Sequence, residues 1–467
     1  MSDTNDQIEE TIDAVEGEAD TYMLERKTIA AILYAVDAGD QAALTGLMEP
    51  LHAADIADLL EQLNTYDRRR LIELYGHEFD GDILSELEEG VREEVIALLR
   101  PDVLADAVRE LDSDDVVDLL EDLDEPQQEA ILGALEEPDR VAVEQALTYP
   151  EYSAGRLMQR EVVAAPEHWT VGDAIDFLRS HEDLPDQFYH VVLVDPRMHP
   201  VGNVTLGKIM RSRRDVRLQE ITEDIFKVIP VDQYEGDVAY AFNQYHLISA
   251  PVVDDDGRLV GQITIDDAMA VLDEEHEEDI LRMAGVSEES SLSDTIIEAA
   301  KGRATWLFVN LLTAILASFV IELFATSIDQ MVALAVLMPI VASMGGNAGT
   351  QTMTVAVRAI ATRDLTAQNA LRVVWREVAV GAINGLLFGL IMALVAGVWF
   401  GVPMLSAVIG LAMICTQISA ALGGIVIPMA LDRVKIDPAL ASGPFVTTVT
   451  DVVGFFAFLG LASAVLL

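Results

Sequence analysis

Gly443-Pro-Phe-Val-Thr-Thr-Val-Thr-Asp-Val-Val-Gly454 decides how the chain is read. It lies in an otherwise uncharged run from Ala439 to Leu467, long enough to cross a bilayer, and places one carboxylate, Asp451, at its middle. A carboxylate at that depth costs several kcal/mol unless it faces water, a cation or a partner. No Lys or Arg is available at that depth to pair with it, which favours a mobile cation as counter-charge. Gly443, Pro444 and the hydroxyls of Thr447, Thr448 and Thr450 add loosened helix geometry and oxygen ligands on the approach to Asp451.

Outward from this stretch, four more apolar segments precede it: Thr305–Thr326, Met331–Ala361, Val374–Phe400 and Met404–Leu431. Within the second, Pro339-Ile-Val-Ala-Ser-Met-Gly-Gly-Asn-Ala-Gly-Thr-Gln351 is expected to break the helix and to leave Asn347, Thr350, Gln351 and Thr352 in need of partners; the alternative for the glycines is close helix packing by small residues. The bases Lys301, Arg303, Arg358, Arg363, Arg372, Arg376, Arg433 and Lys435 all fall on one side of the five spans. That side is therefore cytosolic, with the N-terminal half, and the C-terminus is outside the cell membrane. An odd number of spans suits a pore formed by a symmetric dimer of ten helices.

Charge divides the 467 residues in two. Residues 1–300 hold 72 of the 79 acids and 21 of the 29 bases, and residues 301–467 hold 7 acids and 8 bases. A net charge of −50 excludes nucleic acid as a partner. Only 5 bases are Lys, so much of the acid also fits solubility in concentrated salt. The single cysteine, Cys415, excludes a disulfide framework within one chain. There is no nucleophile–base constellation, Gly-rich phosphate loop or His cluster, and the reading is not an enzyme.

The soluble half begins with an acidic tail over 1–21, expected to be disordered. A helical superhelix is expected over 22–155, because Asp55-Ile-Ala-Asp-Leu-Leu-Glu-Gln-Leu63 returns as Asp115-Val-Val-Asp-Leu-Leu-Glu-Asp-Leu123. Over 156–275 short β-branched runs alternate with helical stretches. His190–Pro196 with Pro200–Gly207, and Ala250–Asp267, form two α/β copies about 60 residues apart. A polar connecting helix over 276–303 leads to the five-helix all-α membrane unit over 304–467.

Taken together, Pro339–Gln351, Arg376-Glu377, Asp437-Pro-Ala439 and Thr447–Gly454, behind two CBS-like copies, resemble the MgtE magnesium transporters and channels. The resemblance implies a homodimer with its pore on the two-fold axis, a largely hydrated Mg2+ at Asp451, and ligation by Thr447 and Gly443 through outer-shell or backbone oxygen. Mg2+ suits such a site because it takes oxygen ligands and dehydrates reluctantly. The resemblance also implies a plug helix within 272–300 and closure by cytosolic Mg2+ bridging carboxylates among the helical domain, the CBS pair and the plug. Regulatory candidates are Asp437, Asp267 and Glu275, then Asp254, Asp255 and Asp256. CBS pairs often bind adenine nucleotides, which makes Thr264 and Asp267 candidates for ATP. Two other readings stay open: a broader carrier of Co2+, Mn2+ or Ni2+, and a membrane-anchored CBS sensor without conduction.

Overall fold

The computed structural model describes residues 24–466, except 78, 122, 124, 182–183, 186, 288–289 and 291–295. The acidic tail over 1–21 lies outside the described residues. The chain forms two compact units, one up to Asp273 and one from Glu274 onward.

The first unit opens with ten helices: α1 (Arg26–Ala38), α2 (Gln41–Met48), α3 (Ala53–Gln62), α4 (Thr65–Tyr75), α5 (Asp82–Ser85), α6 (Glu89–Leu98), α7 (Pro101–Glu110), α8 (Ser113–Glu121), α9 (Glu125–Leu132) and α10 (Glu137–Ala146). None exceeds 13 residues, so each depends on its neighbours for stability. Their leucines, valines and isoleucines form one continuous core. The sequence repeat has a structural counterpart. The buried Arg68 guanidinium donates to the carbonyls of Leu60 and Leu63 at the end of α3, at 2.8 and 2.9 Å. Sixty positions on, Gln128 donates to Leu120 and Leu123 at the end of α8, at 2.8 and 2.9 Å. Each side chain satisfies carbonyls that a helix end leaves without partners.

A short helix, α11 (Ala154–Leu157), begins the α/β part. Two three-stranded sheets follow, β1 (Ala164–Pro166), β2 (His190–Val194), β3 (Pro200–Thr205), and β4 (Ile229–Pro230), β5 (Ser249–Val253), β6 (Leu259–Thr264). In both, the first pair is parallel and the second antiparallel, with a register shift near the end of the middle strand. Helix α12 (Val171–Ser180) crosses between β1 and β2, and α13 (Leu206–Arg211) follows β3; α14 (Glu235–Tyr245) crosses between β4 and β5. β2 and β5 are buried throughout, as parallel-type central strands require. His190 Nδ1 and Ser249 Oγ meet at 2.7 Å and tie the middle strands of the two copies together. Burial holds the His190 imidazole below its ordinary pKa, so it stays neutral there.

Helix α15 (Ile265–Ala284) starts directly after β6 and runs without interruption past position 275. Its C-terminal part belongs to the second unit, with α16 (Ile296–Glu322), α17 (Ala325–Gln330), α18 (Ala333–Ala361), α19 (Ala370–Phe400), α20 (Pro403–Arg433) and α21 (Pro438–Val465). Five of these helices, α16 and α18–α21, are long and apolar enough to cross a membrane. The first starts at Ile296, nine residues before the expected Thr305, and ends four residues early at Glu322.

The expected break in the second span is absent: α18 is one helix with Pro339 inside it. Its glycines serve close packing instead. A Cβ on Gly345 would lie 2.6 Å from Thr416 Cγ2, and one on Gly349 would lie 2.7 Å from Val446 Cγ1. Hydrocarbon offers backbone groups no alternative partners, which favours an unbroken helix. Along α19, glycines 381, 385 and 389 form an i, i+4, i+8 seam against α20. A Cβ there would come within 2.8 Å of Gln417 O, 2.9 Å of Ile414 Cα and 2.7 Å of Gly410 O, respectively.

Candidate cation sites

Asp451 stands at the midpoint of α21 and is half-buried within one protomer. Among the described residues its carboxylate has no hydrogen-bond or ion-pair partner. Gly443, Thr447 and Asp451 are four apart and share one face of α21. Thr447 Oγ1 donates to Gly443 O at 3.0 Å, and Thr448 Oγ1 donates to Pro444 O at 2.6 Å. Their protons are thus used within the helix, and the hydroxyl oxygens keep lone pairs for an incoming donor, such as a water of a hydrated ion. Thr450, fully buried, points into the bundle and donates to Thr447 O at 2.9 Å. On α18, Ser343, Asn347, Thr350 and Thr354 make an exposed polar stripe.

At the other end of α21, Asp437 has two tasks. Its Oδ1 accepts the Ala439 amide at 2.7 Å and caps the helix, and its Oδ2 pairs with Arg282 at 3.0 Å. Arg282 also pairs with Glu278 at 2.9 Å. Burial raises the Asp279 carboxyl, and the charges of Asp437 and Glu275 raise it further. Met283 packs against Met353, Val357, Ala439 and Val446, so the end of α15 rests on the ends of α18 and α21. Glu275 and Asp437 therefore belong to one acidic group with a single arginine among the carboxylates just named. Sequence reading selected both acids but not Arg282, which lies 155 positions from its partner.

A second acidic group forms inside the first unit. Asp267 opens α15, where Thr264 N and Oγ1 donate to its Oδ2 at 3.3 and 2.6 Å. It also shares a side-chain hydrogen bond with Asp114, at the start of α8. Asp115 and Asp112 flank Asp114, and Gln159 Nε2 reaches Asp112 at 3.3 Å. Burial, reinforced by Asp267, pushes the Asp114 carboxyl well up. Asp115 is pushed up to about 7 by burial first and then by Asp267 and Asp112. Burial raises Asp112 and Asp267 as well. Sequence reading selected Asp267 of this group; Asp115 stood out only as the start of the Asp115–Leu123 repeat, and Asp112 and Asp114 were not selected.

Asp254, Asp255 and Asp256 occupy the turn between β5 and β6. Asp254 Oδ1 accepts the amides of Asp256 and Arg258 at 3.0 and 2.8 Å, and Asp256 pairs with Arg258 at 3.4 Å. These contacts fit Asp254 and Asp256 to the geometry of the turn itself.

A five-span helical unit with an unpartnered carboxylate at mid-membrane, joined to a CBS-type pair, defines a membrane cation-transport protein. Family comparison carries this further. The divalent cation transporter domain of MgtE matches 338–461, the MgtE intracellular N domain matches 51–152, and CBS domains match 154–215 and 218–274. A magnesium transporter MgtE from Enterococcus faecalis is 33% identical over 315 residues, covering 68% of this chain and 69% of the relative. Its counterpart from Thermus thermophilus is 33% identical over 325 residues, covering 68% and 71%. Among solved structures, the cytosolic domain of the Mg2+ channel MgtE in complex with ATP is 28% identical and covers 52% of this chain and 99% of that one, with a TM-score of 0.48. The chain belongs to the MgtE family.

Proposed function

We propose that the protein carries Mg2+ across the cell membrane through a pore that passes Asp451, and that it is not an enzyme. The observation that carries this is the unpartnered carboxylate at the midpoint of α21. A buried anion without a protein counter-charge is best stabilised by a cation that comes and goes. Mg2+ fits because the nearby groups are one carboxylate, hydroxyls and carbonyls, which suit an ion that keeps its water shell. The relatives named magnesium transporter support that ion.

The assembly proposed is a homodimer. Its pore is lined by the Gly443–Thr447–Asp451 face of α21 and the polar stripe of α18. Lipid is a poor neighbour for Ser343, Asn347, Thr350 and Thr354, whereas water in a pore or a second copy is a good one. The basic loops support a cytosolic soluble half and a C-terminal end of α21 outside.

Cytosolic Mg2+ closes this pore by relieving repulsion in the two acidic groups. One contains Asp112, Asp114, Asp115 and Asp267; the other contains Glu275, Asp279 and Asp437 at the plug-like end of α15. Several weak sites acting on one closed state suffice to shift its population. ATP at the CBS pair is the further ligand proposed, through Thr264 and Asp267. Those two residues are bonded to each other among carboxylates, so a cation and a polyphosphate compete there.

The test is Mg2+ uptake into proteoliposomes by Asp451→Asn. A folded, dimeric protein without flux is expected. Wild-type flux in correctly inserted Asp451→Asn protein would remove the pore assignment. Parallel uptake of Co2+, Mn2+ and Ni2+ measures how broad the cation class is.

A further inference from the structure

Among the described residues, a cavity of about 560 Å3 opens between the end of α18, the loop after it, the start of α19 and Ile425 of α20. Three arginines face it: Arg358, Arg372 and Arg376. Arg376 is held by Glu377, at 3.1 and 2.8 Å. Arg358 and Arg372 have no hydrogen bond or ion pair among the described residues. Both guanidiniums are exposed and face one cavity, in a chain with 79 acids and 29 bases.

The lining carries three arginines against one acid, Asp364, with Arg376 already held by Glu377. The first turn of α19, which contains Arg372, holds no acid. Asp364, the one acid lining the cavity, accepts from Thr362 Oγ1 at 3.0 Å, inside its own loop. The loop itself is built: Asn369 Nδ2 donates to Asp364 O at 2.7 Å, and Leu365 N donates to Ala359 O at 2.7 Å. The remaining wall is mainly apolar, with Val355, Leu365, Val373 and Ile425, and includes Thr354 and the loop's own Asn369.

We propose that this cavity binds the phosphate headgroup of an anionic glycerophospholipid, with Arg358 and Arg372 on the phosphate and the apolar wall against the acyl chains. Guanidinium forks match phosphate oxygens in pairs, and basic pockets between membrane helices suit such headgroups. A free phosphate ion would use the arginines but leave the apolar wall in water. A lipid uses both, at the end of α18 where the helix leaves the membrane. The site is independent of which ion crosses the pore.

The experiment is native mass spectrometry of the full-length protein in detergent with equal amounts of phosphatidylglycerol and phosphatidylcholine. Retained phosphatidylglycerol in strong preference is expected. With two arginines near a lipid surface contributing about equally, Arg358→Gln with Arg372→Gln should reduce that preference roughly 30-fold. Arg433→Gln, at the C-terminal end of α20 and outside the cavity, should leave it unchanged. Equal loss with Arg433→Gln, equal retention of the two lipids, or displacement of phosphatidylglycerol by millimolar inorganic phosphate would each overturn the proposal. If the double variant does not fold, the wild type still decides. Phosphatidylglycerol, and not phosphatidylcholine, should protect Arg358 and Arg372 from phenylglyoxal, and equal modification in both lipids would overturn the assignment.

Discussion

Mg2+ binding should expel protons from the Asp114–Asp267 group, in an amount set by pH. Asp115 titrates at about 7, against an ordinary carboxyl near 3.8. A raised acid pKa means that the folded unit binds the proton more tightly than the unfolded chain. Without a cation, stability therefore falls as pH rises from about 4 to about 7, by at most about 4 kcal/mol for this one group before solvent screening reduces it. Ligation requires the ionised form, so binding releases whatever proton is present. Asp115 alone then accounts for about 0.9 proton per chain at pH 6, about 0.5 at pH 7 and about 0.1 at pH 8. Asp114, whose carboxyl is also pushed up, adds to this. Isothermal titration of Mg2+ in buffers of different ionisation enthalpy reads the number directly. Asp267→Asn, which removes the largest neighbouring charge raising Asp115, should cut the release at pH 6. The release should persist in molar KCl, because screening by salt is not ligation. No proton release at pH 6, or the same release from Asp114→Asn with Asp115→Asn, would refute the bridging role of these carboxylates.

Removing residues 1–275 should leave Mg2+ flux that internal Mg2+ no longer shuts; unchanged closure in proteoliposomes would locate the sensor in the membrane unit. Gly424→Ala should lower the melting temperature of the detergent-solubilised protein, since its methyl would lie 2.7 Å from Gly349 O and 2.8 Å from Thr352 Cβ. Overpacking of that kind costs about 1–3 kcal/mol, and an unchanged melting curve would contradict the packing of α18 on α20. Limited proteolysis between 272 and 303 should be slowed by Mg2+ even in high KCl, and Asp267→Ala with Glu275→Ala should weaken that protection; equal protection by KCl alone would assign these acids to solvation.

Features with a local signal were legible in the sequence. Asp451 was visible because one charge interrupts an apolar run. The two α/β copies were visible because β-branched runs return after about 60 residues, and the sheets built from them share topology. The repeat of α3 in α8 was visible from leucine spacing. For the glycines of α18 a break and close packing both stayed open, because glycine composition alone does not tell a broken helix from a closely packed one. Only the facing atoms do that, Thr416 and Val446. Lys301 and Arg303 mark the expected membrane boundary, and the helix itself continues through them from Ile296. The acidic groups were the least legible. Asp114 meets Asp267, and Asp437 meets Arg282, across more than 150 positions of chain, and no spacing rule reaches that far.

Helix α16 packs mainly on α21 and buries little of itself, with Ala317 its one fully enclosed residue among those described. The glycine seam makes α19 and α20 nearly a single solid piece by comparison. Mechanically the membrane unit is thus a stator with one loose rod. The chain enters the membrane through α16, so a thrust or twist arriving from the connector is delivered first to the helix that carries Asp451. In the proposed pore, a lever that ends on α21 needs little travel: a small rotation redirects a carboxylate that no described side chain restrains.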